Sequence, residues 1–109
     1  MIVRIVTARV PMTRAGSLHQ LLRQQIPMLK SYEGLRYVKL ARRLDGDREE
    51  VVLIEEWRDA TAMYAWTGPD IGRARLIAGA EALIEEVQVT HYEALDLVPA
   101  GPAMPGRPT

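Results

Sequence analysis

Glu50-Val51-Val52-Leu53-Ile54-Glu55-Glu56-Trp57-Arg58-Asp59-Ala60-Thr61-Ala62-Met63-Tyr64-Ala65-Trp66-Thr67-Gly68-Pro69 holds two kinds of periodicity joined by a turn. Residues 51 to 54 are β-branched or apolar, and the strand-like run continues through Glu55 and Glu56 to end on one tryptophan. Asp59 is a good helix N-cap, and the short run Ala60 to Trp66 ends on a second tryptophan before Gly68-Pro69 breaks it. A strand followed by a short helix is therefore predicted here, in a chain whose rings are two Trp and four Tyr.

Before this segment, Asp45-Gly46-Asp47 is a hairpin signal, because Gly beside Asp tolerates positive φ. Leu35 to Arg43 is then a strand antiparallel to the one at 50 to 57. Glu33-Gly34 closes the helical run before it, in which Ala15, Leu18, Leu21, Leu22, Gln25, Ile26 and Leu29 share roughly one face. Thr13 or Ser17 is placed to cap that helix, and Ser17 with Gln20 has capping-box spacing. Pro27 predicts a kink or restart near Gln25, because it lacks an N–H and crowds the preceding turn. The opening run, Ile2 to Val10, is a strand with apolar residues in both alternating sets: Ile2, Val6, Ala8 and Val10 in one, Val3 and Ile5 in the other. A strand apolar on both sides is covered on both sides.

Toward the C-terminus, Pro69-Asp70 opens a predicted helix to about Gly79, residues 80 to 85 read as helix or loop, and Glu86 to Leu95 alternates as a last strand. Residues 98 to 109 carry four prolines and two glycines and are expected to be a disordered tail outside a domain spanning 1 to 97. The order β-α-β-β-α-β predicts an α+β, ferredoxin-like split βαβ with a four-stranded antiparallel sheet and helices on one face. The other face calls for a partner, most simply a second copy of the chain.

Composition bounds the function. Across 109 residues, 48% apolar and 26% charged, fourteen Lys and Arg balance fourteen Asp and Glu with no basic stripe, so nucleic acid is not an expected partner. Cysteine is absent, which removes disulfides, thiolate catalysis and Cys-ligated metals, and two histidines are a poor basis for a metal site. Arg4 and Arg9 interrupt the apolar N-terminal run, no signal peptide is legible, and no segment approaches the roughly 20 apolar residues of a membrane span. A cytoplasmic protein is expected. No GxGxxG or GxxxxGK[ST] suggests a nucleotide. The pairs Glu55-Glu56 and Glu85-Glu86 point to opposite sides of a strand and cannot work as an acid/base couple.

In element order and in several phrases, the chain from Ile2 to about Leu95 resembles the antibiotic biosynthesis monooxygenase family of the dimeric α/β-barrel superfamily. The phrases are Glu33-Gly34, Ile54-Glu55-Glu56-Trp57-Arg58-Asp59 and His91-Tyr92-Glu93. The resemblance implies a homodimer whose two sheets close a barrel, with a pocket in each subunit between sheet and helices. It implies a cofactor-free monooxygenase of small aromatic substrates such as phenols, quinols or anthrones, with a non-catalytic small-molecule-binding or stress-associated barrel as the alternative. Haem-cleaving relatives combine a pocket Trp with an Asn on strand one and a His ten residues beyond the Trp. Trp66 matches the Trp here, whereas Thr7 and Leu76 occupy the other two positions, so no axial donor and no cofactor are implied.

Trp66 is either a helix face packed on the core or a wall on which a flat ligand stacks, and Trp57 reads as a structural anchor. His91, titrating near neutrality, is the natural general base, although an alternating strand also suits a structural imidazole. Thr7 shares parity with Val3 and Ile5, a set the resemblance turns toward the pocket, where its hydroxyl would bind a carbonyl. Tyr37 and Tyr64 are candidates to hydrogen-bond a phenolic substrate, while His19 on the first helix reads as a surface residue.

Overall fold

A computed structural model describes residues 1–95, so the end of the expected domain and the expected tail at 98 to 109 lie outside the described residues. Four strands form one antiparallel sheet: β1 (Ile2–Pro11), β2 (Leu35–Asp45), β3 (Arg48–Trp57) and β4 (Glu86–Glu93), in the order β2-β3-β1-β4. Among the described residues, two helices, α1 (Met12–Lys30) and α2 (Ala60–Thr67), and a 3-10 turn at Glu81–Leu83 accompany the sheet. The ferredoxin-like α+β architecture read from the sequence is the one observed.

The register explains which side of each strand is buried. Val6 pairs with Leu53 and Val89, and Ala8 with Val51 and Val87, so the even residues of β1 and the odd residues of β3 and β4 share one face. That face carries the buried Val6, Ala8, Val10, Val51, Leu53 and Trp57 and packs against Leu18, Leu22 and Leu29 of α1 and Met63 and Trp66 of α2. The opposite, open face presents Val3, Ile5, Thr7 and Arg9 of β1 beside Glu50, Val52, Ile54 and Glu56 of β3, all half-buried. Thr7 therefore lies on the open face; Arg4, Val6, Ala8 and Val10 face the helices. This corrects the expectation that Thr7 and its parity set point into a pocket beneath the helices.

Three local details also differ from the sequence reading. The first helix begins directly after Pro11, with no side-chain cap from Thr13 or Ser17. The Met12 amide donates to the Asp47 carbonyl instead, at 3.0 Å. The helix runs unbroken from Met12 to Lys30 through Pro27. Pro27 and Arg23, one turn earlier, are both exposed, so the carbonyl that loses its donor lies on the solvent side of the helix. The helix predicted over 69 to 79 does not form, and residues 68 to 80 are irregular. Their carbonyls are taken by side chains of the core, as described below.

Other predictions hold. Gly46 has φ +65 in the hairpin turn, and Asp59 caps α2 by accepting from the Ala62 amide at 2.8 Å. Gly34, at φ +93, passes so near α2 that a Cβ there would lie 2.5 Å from the Ala62 Cβ, which only glycine permits.

Candidate functional site

Residues 68 to 85 cross from the end of α2 to the start of β4 as a strap over the sheet's helix-facing side. Arg4 is the charged member of the buried set of β1, 1% exposed, with Glu55 and His91 as its cross-strand neighbours. Its Nη1 donates to the Ile71 carbonyl at 2.7 Å and to His91 Nε2 at 2.9 Å, and its Nη2 donates to the Arg73 carbonyl at 3.0 Å. Among the described residues its Nε has no hydrogen-bond partner; it stands 3.7 Å from Glu55 Oε1, which in turn accepts from the Trp57 indole N–H at 2.9 Å.

A guanidinium only donates, so His91 Nε2 is the acceptor and its proton sits on Nδ1. Burial, reinforced by the Arg4 charge, pushes the His91 pKa below its ordinary value. Burial pushes the Glu55 carboxyl up, against the opposing pull of Trp57 and Arg4, and lowers Arg4 against the pull of Glu55.

Gln25 holds the rest of the strap. Fully within the core, its Nε2 donates to the Arg75 carbonyl at 3.1 Å and its Oε1 accepts from the Ile77 amide at 2.6 Å. Arg75 then folds back: its Nη1 reaches the Trp66 carbonyl at 2.5 Å, and its guanidinium lies 4.2 Å from the Trp66 ring centroid, a cation–π distance. Tyr32 meets the Trp66 ring edge-on at 5.2 Å. At the far end of the same sheet face, the buried Glu49 pairs with His19 and with Arg42. Burial alone would raise its pKa, but the hydrogen bonds from Arg42 and His19 hold it below the usual carboxylate range.

Between the strap and the β4 edge lies a cavity of about 590 Å³. Ala74, Leu76, Ile84 and Val87 give it apolar walls, and Asp70, Arg73, Glu81, Glu85 and Glu86 a charged rim. Its volume falls within the range of small-molecule sites. A neighbouring hollow of about 310 Å³ shares Asp70, Arg73, Ala74, Leu76 and Glu81 and adds Arg75. Directly between sheet and α1, by contrast, the space bounded by Val6, Ala8, Leu22, Val51, Leu53, Leu76 and Ile84 is only about 10 Å³.

The structure separates the residues singled out from the sequence. Trp66 is 2% exposed and sits one layer behind the second hollow, covered by Arg75. His91 is on the same side of the sheet, beneath the strap. Thr7 and Tyr37 are on the open face, and Tyr64 stands out from α2, about half exposed like Tyr37. These five side chains do not converge on one pocket.

Sequence reasoning missed Arg4, Glu55, Gln25, Leu76 and Ile84. A signal existed for two of them: a charge at Arg4 inside the apolar set Ile2, Val6, Ala8, Val10, and a polar Gln25 inside the helical stripe of Ala15, Leu18, Leu22 and Leu29. Among the described residues no group of three or more His, Cys, Asp or Glu side chains converges as a metal site. Among them, too, no helix is long and apolar enough to cross a membrane.

An open four-stranded antiparallel sheet in ferredoxin-like order, with a small-molecule-sized cleft under a strap, defines the class of fold. The profile of the antibiotic biosynthesis monooxygenase family matches residues 1–74. The chain belongs to that family. No curated protein matches the chain in sequence.

Among solved structures, the chain is similar to a putative antibiotic biosynthesis monooxygenase from Deinococcus radiodurans, with TM-score 0.70 and 17% identity over 94% of this chain and 100% of that one. It is similar to another from Nitrosomonas europaea, with TM-score 0.69 and 16% identity over 87% and 99%. It is also similar to a mutant of MhuD with two manganese protoporphyrin IX molecules bound per active site, with TM-score 0.65 and 19% identity over 94% and 100%. At these identities the likeness concerns the fold.

Proposed function

We propose that the chain binds a small, flat, largely apolar aromatic molecule in the cleft between the strap and β4 and oxygenates it without a resident cofactor. The observation that carries this reading is the cavity of about 590 Å³ with walls of Ala74, Leu76, Ile84 and Val87, in a chain of the monooxygenase family. For an anthrone-like substrate, dioxygen is the oxidant and the substrate supplies the electrons. The ring methylene loses both C–H bonds and gains a C=O, and the second oxygen atom leaves as water.

What the protein contributes is orientation and proton handling at the rim. Asp70 and Glu81, which border both hollows, take the first proton in this reading, and Arg73, on the same rim, favours the resulting anion. His91 holds Arg4 beneath the strap, because its Nε2 lone pair is already engaged.

That engagement favours a second reading, in which the same cleft binds its ligand without chemistry. Haem fits less well: His91 Nε2 accepts from Arg4 and His19 Nε2 pairs with Glu49, so an axial bond through either atom would first break a partly buried contact. We further propose that two copies pair through the open sheet faces, with Val3, Ile5, Val52 and Ile54 at the centre.

Oxygen uptake and product formation with anthrone and a panel of dihydroxyaromatics test the activity. Turnover is expected, and Val87→Trp, which fills the cleft from an exposed edge-strand position, should abolish it. Binding without turnover transfers the protein to the second reading. A Soret shift on adding haem would show that the histidines are freer than their contacts suggest.

A further inference from the structure

Leu76 borders three spaces on this side of the sheet: the cleft of about 590 Å³, the hollow of about 310 Å³ and the interior void of about 10 Å³. Ile84 borders the first and the last. Leu76 also packs against both halves of the core, one built around Trp57 and Trp66 and the other around Leu18 and Val51. Beyond it, the void is wholly apolar, walled by Val6, Ala8, Leu22, Val51 and Leu53. A side chain in this position is a partition between an open cleft and an apolar interior.

The partition is held in place by the amide of Gln25. Its two hydrogen bonds, to the carbonyl of Arg75 and from the amide of Ile77, flank Leu76 on either side. They are the pair of bonds that a neighbouring strand would make, supplied here by one buried side chain. The backbone at residue 76 is thus fixed without secondary structure of its own, and the direction of the Leu76 side chain with it. Arg4 fixes the preceding stretch through the carbonyls of Ile71 and Arg73.

We infer that Leu76, clamped by Gln25, sets the size of the aromatic ligand the cleft accepts. The inference rests on the ligand site proposed above and adds its specificity determinant. A ring entering between strap and β4 meets Leu76 and stops there; shortening Leu76 joins the cleft to the apolar void and admits a larger ring system, and enlarging it closes the cleft to all but the smallest.

Calorimetric titration with hydroquinone, 1,4-dihydroxynaphthalene and anthrone, of one, two and three fused rings, tests this on the native chain, Leu76→Ala, Leu76→Phe and Val87→Trp. Leu76→Ala should strengthen anthrone relative to hydroquinone at least tenfold, and Leu76→Phe should shift the ratio the other way. An unchanged ranking in both Leu76 variants, with native binding that Val87→Trp abolishes, overturns the role of Leu76 and leaves the ligand site standing. No binding of any of the three compounds to the native chain or to Leu76→Ala overturns both. Thermal melting establishes that each variant is folded. Should Leu76→Ala not fold, Ile84→Val, which trims the other residue shared by cleft and void, is read in the same way: a shift toward anthrone supports the inference and an unchanged ranking overturns it.

Discussion

Arg4 is a charge in a row of residues that otherwise pack as hydrocarbon, and its environment explains why it is tolerated there. Two strap carbonyls, the His91 imidazole and the Glu55 carboxylate surround it, while the Trp57 indole satisfies Glu55 from the other side. Removing one member of a buried pair strands the other. Arg4→Met should destabilise the protein by about 3 to 5 kcal/mol in chemical denaturation, and Arg4→Met with Glu55→Gln should recover a substantial part of that loss. A double variant no more stable than the single one would mean that the strap carbonyls, not Glu55, dominate the role of Arg4.

His91 adds a pH dependence of known sign. Its pKa is lowered in the folded state, so the unfolded chain takes up the proton first. Its contribution is complete above the ordinary imidazole value of about 6.5 and is lost as pH falls through the lowered one. The thermal midpoint of the native protein should therefore fall more steeply than that of His91→Gln between about pH 7 and 5. Parallel curves would mean that the folded state does not lower the His91 pKa.

At the scale of elements, the strap is the part that local sequence rules misread. Pro69-Asp70 followed by apolar residues has the pattern of a helix start, yet the carbonyls at 71, 73 and 75 are claimed by Arg4 and Gln25. Those partners lie 50 or more positions away in the chain, and a window of a dozen residues contains neither. The strap's order depends on the two anchors, so the Ile77 amide should be protected from hydrogen exchange in the native protein. Gln25→Ala should release that protection while leaving the amides of β1 and β3 slow. Equal protection in the variant would show that packing of Leu76 and Ile77 suffices. The β2-β3 hairpin and α2 were legible because their signals are local: Gly46 in a positive-φ turn and an Asp59 side chain reaching an amide three residues on.

For the whole molecule, the two faces of the sheet have different futures. One is covered by α1, α2 and the strap. The other offers Val3, Ile5, Val52 and Ile54 at its centre, with Tyr37 and Tyr92 exposed on the flanking strands. An apolar face of this kind suits pairing with its own copy about a twofold axis. Sedimentation should give a dimer at micromolar concentration, and Ile54→Lys, which places a charge opposite Ile5 at the centre of the face, should give a folded monomer. A monomeric native protein would leave the open face to some other partner.

Local sequence rules were enough for the β-α-β-β-α-β order, the antiparallel sheet, the hairpin and the cap of α2, though not for the strap. They also determined that β1 is apolar on both sides, because alternation, turn chemistry and capping act between residues a few positions apart. Which alternating set of β1 faces the helices, and hence that Thr7 and Tyr37 stand apart from Trp66 and His91, was settled by packing in three dimensions. A one-residue change of parity reverses every side chain of a strand, and both sets of β1 were apolar enough for either assignment. The strap was likewise decided in three dimensions, because its hydrogen bonds go to buried side chains distant in sequence. The cleft that those bonds shape is bordered by residues that carry no motif.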